Sequence, residues 1–217
     1  MVYSFAFSFL VTFFLIPVSK LIGVKFKFVD LPDHRKVHKK PKVRIGGLAI
    51  FIGVISTIFF KKFILENGFS SLYLERELII FLLSASAFFL IGFLDDLFKL
   101  SAYLRLSLQI IISTIIWHDG LGFFNIALFS DSSYFFNLKL IPLISYILTV
   151  LWISGMINAI NWIDGLDGLA SGFTIIALIC LIKIGNLNGL DAGIFLIPII
   201  GSCIGFIYFN FYPAKIY

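Results

Sequence analysis

The fold class this sequence predicts is an all-α, polytopic integral membrane protein. It has about seven transmembrane helices, with the N-terminus outside and the C-terminus inside. Three observations predict it. Of the 217 residues, 60% are hydrophobic, 18% aromatic and only 13% charged. With a mean hydropathy of +1.04, that balance lies outside the range of ordinary soluble domains. The apolar residues fall into separate runs joined by polar connections. The cations are concentrated as well: eight of the 17 Lys/Arg lie between Lys25 and Arg44, directly after the first apolar run. That is a membrane topology signal. No polar region is long enough for a separate soluble domain, so residues 1–217 read as a single transmembrane domain.

Taken in order, the apolar candidates are about 2–24, 45–60, 78–94, 104–117, 140–157, 169–182 and 192–211. Several are shorter than the roughly 20 residues that span a bilayer comfortably. The weakest is 104–117, a short tilted helix or one that needs Ser101–Tyr103 to complete its span. The first run lacks the basic flank and small-residue cleavage site of a signal peptide, and is expected to remain. With the N-terminus outside, the inner loops carry ten Lys/Arg: eight in 25–44, then Lys99 and Lys215. The outer loops carry five: Lys61, Lys62, Arg76, Lys139 and Lys183. This asymmetry sets the orientation. The net charge of +5 is thereby absorbed by topology, and no nucleic-acid partner is expected. Cys180 and Cys203 both lie within apolar runs and read as small residues facing lipid or another helix.

In this orientation every polar cluster falls at the inner end of an odd-numbered span. The richest is NAINWIDGLDGLASG, residues 158–172, where Asn158, Asn161, Asp164 and Asp167 recur at steps of three. On a helix, Asn158/Asn161 and Asp164/Asp167 form local pairs. Gly165 and Gly168 suit a helix that breaks here and lets backbone approach a ligand. Two carboxylates beside a lipid-grade segment are costly unless they hold a cation or face water. The bland alternative is a solvated, capped turn. Asp95-Asp96, in GFLDDLFKLS, closes the third span. Adjacent acids repel, so they need water, a cation or a basic neighbour, or else they are helix-end residues at headgroup level. Together these acids and amides are hard oxygen ligands suited to magnesium with phosphate, rather than zinc or copper.

The connection VDLPDHRKVHKKPKVRIGG, residues 29–47, is dense in cations. His34 and His38 have an i,i+4 spacing that binds zinc on a helix, but Pro32, Pro41 and the surrounding Lys/Arg oppose that reading. An anchor for anionic membrane lipid is one alternative. The other is a phosphate clamp in which Arg35 and Arg44 offer bidentate contacts, with Gly46-Gly47 opening the next span to an anion.

The ordered set DLPDHRKVHKKPKVRIGGLAIF, GFLDDLFKLS, NAINWIDGLDGLASG and NFYPAKIY resembles the polyprenyl-phosphate N-acetylhexosamine-1-phosphate transferases (glycosyltransferase family 4). Within that family it is most similar to the bacterial undecaprenyl-phosphate N-acetylglucosamine-1-phosphate transferases. The resemblance covers essentially the whole chain. The branch that transfers phospho-N-acetylmuramoyl-pentapeptide usually carries a Gly-Thr-Pro-Thr-Met-Gly-Gly loop, where this chain has Pro41-Lys-Val-Arg-Ile-Gly-Gly47.

The resemblance implies a reaction at the cytoplasmic face of the plasma membrane. A UDP-N-acetylhexosamine and a polyprenyl (undecaprenyl) phosphate give the lipid-diphospho-sugar and UMP, with Mg2+ (Mn2+ as a substitute). By the same resemblance Asp95 and Asp96 are the catalytic acids near the lipid phosphate, Asp95 standing where the family's candidate base lies. Asn161, with Asp95 and Asp96, would ligate the metal. Asn158, Asn161, Asp164 and Asp167 would bind the nucleotide-sugar. Arg35, Lys36, His38 and Arg44 would bind the lipid phosphate, and a homodimer is left open.

Two departures are expected to matter. Lys99 stands where some relatives have a third acid. The family also continues past P-A-K-I-F/Y with a Met-Gly-Asp metal ligand and further spans, whereas Tyr217 is the last residue here. The resemblance therefore implies the N-terminal two-thirds of the catalytic domain, and an inactive half-protein is the alternative reading. A membrane transporter is a third, disfavoured because the acids gather at span ends and no repeat is visible.

Overall fold

The computed structural model describes residues 1–26, 28–30, 42–62, 76–127, 135–137, 141–188 and 193–216. Among them are seven helices: α1 Val2–Lys25, α2 Gly46–Phe60, α3 Arg76–Phe98, α4 Ala102–His118, α5 Pro142–Ile163, α6 Leu169–Leu187 and α7 Gly193–Asn210. Each matches one of the apolar runs. Two minimal antiparallel ribbons join helices: β1 (Val29–Asp30) pairs with β2 (Lys42–Val43), and β3 (Asn125–Ala127) with β4 (Phe135–Asn137).

Burial in these helices is inverted relative to a soluble protein. Large apolar side chains such as Leu83, Leu90, Leu151, Ile176 and Ile179 face outward, while Ser8, Thr12, Thr57, Ser113, Ser145 and Ser202 are buried. Apolar tails are as good a solvent for leucine as another helix is, so helix–helix contacts go to small residues and hydroxyls. α1, α5, α6 and the Leu78–Phe98 part of α3 are long and apolar enough to cross a membrane, whereas α2 and Phe195–Asn210 of α7 are apolar but shorter. The chain is a multi-pass membrane protein. α4 is the helix least like a span, because Arg105 and Gln109 interrupt its 17 residues.

Contacts divide the chain into two compact units, 1–72 with 163–217, and 73–162. In the first, α1 buries a row at steps of three and four: Ser4, Ser8, Thr12, Ile16, Ser19 and Gly23. α2 likewise buries Gly46, Ala49, Gly53 and Thr57. The Thr12 hydroxyl donates across to the Ala49 carbonyl at 3.3 Å. Around this seam the aromatic richness is used in ring contacts, Phe7 on Phe60 at 4.2 Å and Phe13 against Phe209 at 5.1 Å. β2 packs back on α1, where Gly23 leaves the space that the Val43 side chain occupies.

The second unit holds α3, α4, α5 and the β3–β4 ribbon. One end is laced by a chain of polar contacts. Trp117 Nε1 donates to Ser145 Oγ at 2.9 Å, Ser145 Oγ donates to the Phe123 carbonyl at 2.6 Å, and the Phe123 amide donates to Thr149 Oγ1 at 3.0 Å. Arg76 pairs with Asp119 at 2.8 Å. The described part of the 118–139 connection is thus tied into the packing of this unit.

Candidate active site

Three helices run further than their apolar content predicts. α6 reaches Leu187, so Lys183 lies within it rather than in a loop. The other two carry candidate site residues. α3 continues through Phe98, so Asp95 and Asp96 fall in its final turns rather than beyond it. α5 continues to Ile163 and carries Asn158 and Asn161 in its last turns. In both cases the polar residues keep helical backbone bonding. The helix ends differently in each. After α3, Lys99 turns the chain with φ of 51°, its amide donating to the Asp95 carbonyl at 2.8 Å. Ser101 then caps α4 by accepting from the Leu104 amide at 3.2 Å. After α5 the chain breaks across 164–168, and Gly168, at φ of 75°, is the left-handed residue from which α6 starts.

Within the second unit α4 ties two of the predicted residues. Arg105 donates through Nη1 to Asp95 Oδ2 at 2.6 Å, both side chains about three-quarters buried, at 24% and 21% exposed. One turn on, Gln109 accepts from Asn158 Nδ2 at 2.8 Å. Asp95 therefore has the basic neighbour its pairing with Asp96 requires. Asp96 and Asn161 are exposed. Among the described residues no three His, Cys, Asp or Glu side chains gather into a ready-made metal cage.

The first unit holds the other acids. Asp167 Oδ2 accepts from the Ala214 amide at 2.8 Å. Asn210 supports the same junction from both ends of its amide: Oδ1 accepts from the Gly168 amide at 2.9 Å, and Nδ2 donates to the Ile216 carbonyl at 3.0 Å. The NFYPAKI segment, with its cis Tyr212–Pro213 peptide, is therefore laid against the 164–168 break. One oxygen of Asp167 is thus committed to holding backbone. Arg44, half-buried, lies between β2 and α2, its amide donating to the Phe28 carbonyl at 3.2 Å. Arg35, Lys36, His38 and the His34/His38 pair lie outside the described residues.

Asp164 sits in the break with one side open to solvent, yet desolvation by its surroundings raises its carboxyl above the ordinary carboxylate value. A raised folded-state pKa means that ionising this acid opposes folding. Its favourable contribution is complete below the unfolded-state value, near 4, and is lost as pH rises through the folded value. Asp164→Asn is therefore expected to gain thermal stability over the wild type at pH 7.5, and the difference should shrink on acidification toward pH 4. Melting curves of both proteins at the two pH values check this. A difference that grows toward pH 4 would contradict it.

Arg105, Gln109 and Asn210 were not singled out as site residues from the sequence. Gln109 had a usable signal, since an amide alone in LSLQIIISTIIW has the same cost in lipid as those of 158–161.

The glycosyl transferase family 4 model matches residues 78–217. A Bacillus subtilis (strain 168) protein named probable undecaprenyl-phosphate N-acetylglucosaminyl 1-phosphate transferase is 37% identical over 100% of this chain and 57% of its own length. A Thermotoga maritima undecaprenyl-phosphate alpha-N-acetylglucosaminyl 1-phosphate transferase is 31% identical over 96% of this chain and 56% of its own. A Clostridium botulinum phospho-N-acetylmuramoyl-pentapeptide-transferase is 32% identical over 99% of this chain and 65% of its own. The chain thus spans little more than half the length of the N-acetylglucosaminyl relatives. With a family match over 78–217 and a whole-chain relative at 37% identity, the chain belongs to glycosyl transferase family 4.

Proposed function

We propose that this chain carries part of the site that transfers N-acetylglucosamine-1-phosphate from a UDP-sugar to undecaprenyl phosphate, releasing UMP. The reaction serves cell-surface glycan synthesis. The site faces the cytoplasm at the plasma membrane, with seven crossings and the N-terminus outside. One observation carries the reading: 37% identity along the entire chain to a protein named for that transfer. The muramoyl-pentapeptide branch is the second reading, favoured by the 32% match over 99% of the chain. The basic loop sequence Pro41–Gly47 weighs against it.

In the reaction an oxygen of the lipid phosphate bonds to the phosphorus that bears the sugar, and the bond from that phosphorus to the UMP oxygen breaks. The second pKa of a phosphate monoester is about 6, so the nucleophile is largely ionised at neutral pH. A strong general base is therefore not required. Asp95 suits a different task, because its oxygen is already engaged by Arg105. It is a fixed anion that positions neighbouring charge. The remaining donors, Asp96 and Asn161, are exposed and chemically hard. They fit magnesium, which is commonly held by one or two carboxylates together with water and substrate phosphates. When bound there, the ion would neutralise phosphate charge and stabilise the leaving UMP. Arg44, with the basic loop before it, would offset the charge of the lipid phosphate.

The test uses membranes containing the full protein, undecaprenyl phosphate and either UDP-N-acetylglucosamine or UDP-N-acetylmuramoyl-pentapeptide. UMP release matched by lipid-linked N-acetylglucosamine, and stopped by chelation, is expected from the first donor alone. Product from the pentapeptide donor would favour the second reading. No UMP from either would overturn both.

A further inference from the structure

Gln109 is 98% buried, only 2% exposed, in the middle of α4. A primary amide in that position has to be hydrogen-bonded, and its Oε1 accepts from Asn158 Nδ2 at 2.8 Å. The same Nδ2 donates to the Ser154 carbonyl at 2.8 Å, one turn back along α5. An amide nitrogen has two hydrogens, and both are used. The Ser154 carbonyl is backbone and can only accept, so it dictates which way the Asn158 amide points. With Asn158 flipped, its Oδ1 would face that carbonyl, acceptor against acceptor. Gln109 takes up the second hydrogen and completes the lock. The consequence is that Asn158 Oδ1, an acceptor, is the only group of this amide left for a ligand.

We infer that Gln109 is a positioning residue for nucleotide-sugar binding: it fixes the Asn158 amide so that Oδ1 is presented to a hydrogen-bond donor of the UDP-sugar. The inference rests on the proposed function and deepens it. The same helix face carries Arg105 one turn earlier, bonded to Asp95. α4 thereby places a residue from α3 and a residue from α5 with two consecutive polar contacts. The helix least suited to lipid is the one that orders the chemistry.

The variants are Gln109→Met, which keeps the length and loses the acceptor, and Gln109→Glu, which keeps an oxygen at the same reach. Both are made in the full protein, and calorimetric binding of UDP-N-acetylglucosamine is measured alongside UMP-release kinetics. Gln109→Met is expected to weaken binding about tenfold and raise KM in step, with kcat changed less than about threefold. Gln109→Glu buries a carboxyl and should lower the melting temperature, but it keeps the acceptor and should lose clearly less affinity than Gln109→Met. If the two variants lose affinity equally, or if Gln109→Met lowers only the melting temperature, Gln109 is structural and the inference fails. Wild-type protein that binds no UDP-sugar would bring down the proposed function itself. Asn158→Ala with unchanged affinity would remove the Asn158 assignment alone. Either result also overturns the role given to Gln109.

Discussion

Gly201→Leu is expected to unseat α7 from α1 and to cost more stability than any other single change in the first unit. A Cβ at Gly201 would meet the Ser8 hydroxyl and, at 2.6 Å, the Phe5 carbonyl oxygen. At Gly205 it would come within 2.8 Å of the Phe9 carbonyl oxygen and 3.3 Å of the Phe13 amide. Apart from the Ser8 hydroxyl these neighbours are backbone, which cannot rotate away, so α1 itself has to move. The two glycines are four residues apart and face the same helix, the arrangement that lets membrane helices approach through their backbones. Gly53 does the same from α2, where a Cβ would collide with Thr12 Oγ1 and come within 2.8 Å of Ser202 Oγ. Overpacking costs about 1–3 kcal/mol where the surroundings can relax. Leucine against backbone should reach the upper end of that range or exceed it. Gly172 provides the control, since a Cβ there would meet only Ile207 Cδ1 at 3.8 Å, and alanine is the better helix former. Thermal melts of the detergent-solubilised protein should place Gly201→Leu roughly 10 °C below the wild type and Gly172→Ala at or above it. Equal melting temperatures for Gly201→Leu and the wild type would mean that α7 does not pack on α1 through these glycines.

That seam also marks where sequence reading stops. Apolar runs located all seven helices because membrane helices must be apolar over their length, whatever they touch. Period and composition cannot say which small residues face a partner. Ser8, Thr12 and Gly201 look like incidental members of long apolar runs until α1, α2 and α7 are placed together. The ends of α3 and α5 were placed too early for a related reason. Hydropathy falls at Asp95 and Asn158, but the backbone keeps its helical bonds for another turn or more, since acids and amides are tolerated there once they reach water or a partner. The break at 164–168 was legible, because Gly165 and Gly168 bracket it and Gly168 takes the positive φ that favours glycine. Asn210 was hidden. Its two contacts join residues 42 and six positions away, and no local spacing encodes such a pair.

Arg105 carries the largest expected effect on activity. Arg105→Gln removes the cation from Asp95 and leaves a carboxylate that is only 21% exposed facing a neutral amide. On the proposed function the loss falls on the group that orders charge beside the lipid phosphate. UMP release is expected to drop about 100-fold or more, the scale on which single preorganised electrostatic contacts act. Arg105→Lys keeps the charge but not the planar fork, so an intermediate loss of about tenfold is expected. A fall in activity alone does not separate chemistry from folding, because a broken, mostly buried ion pair also destabilises. The double variant Asp95→Asn/Arg105→Gln separates them. It removes both charges, so no unpaired, mostly buried charge is left, and the melting temperature should rise from that of Arg105→Gln back toward the wild type. If Asp95 acts on substrate charge, UMP release stays as low as in Arg105→Gln despite the recovered fold. If activity recovers along with stability, the Asp95–Arg105 pair is only a strut between α3 and α4, and the charge-positioning role passes to Asp96.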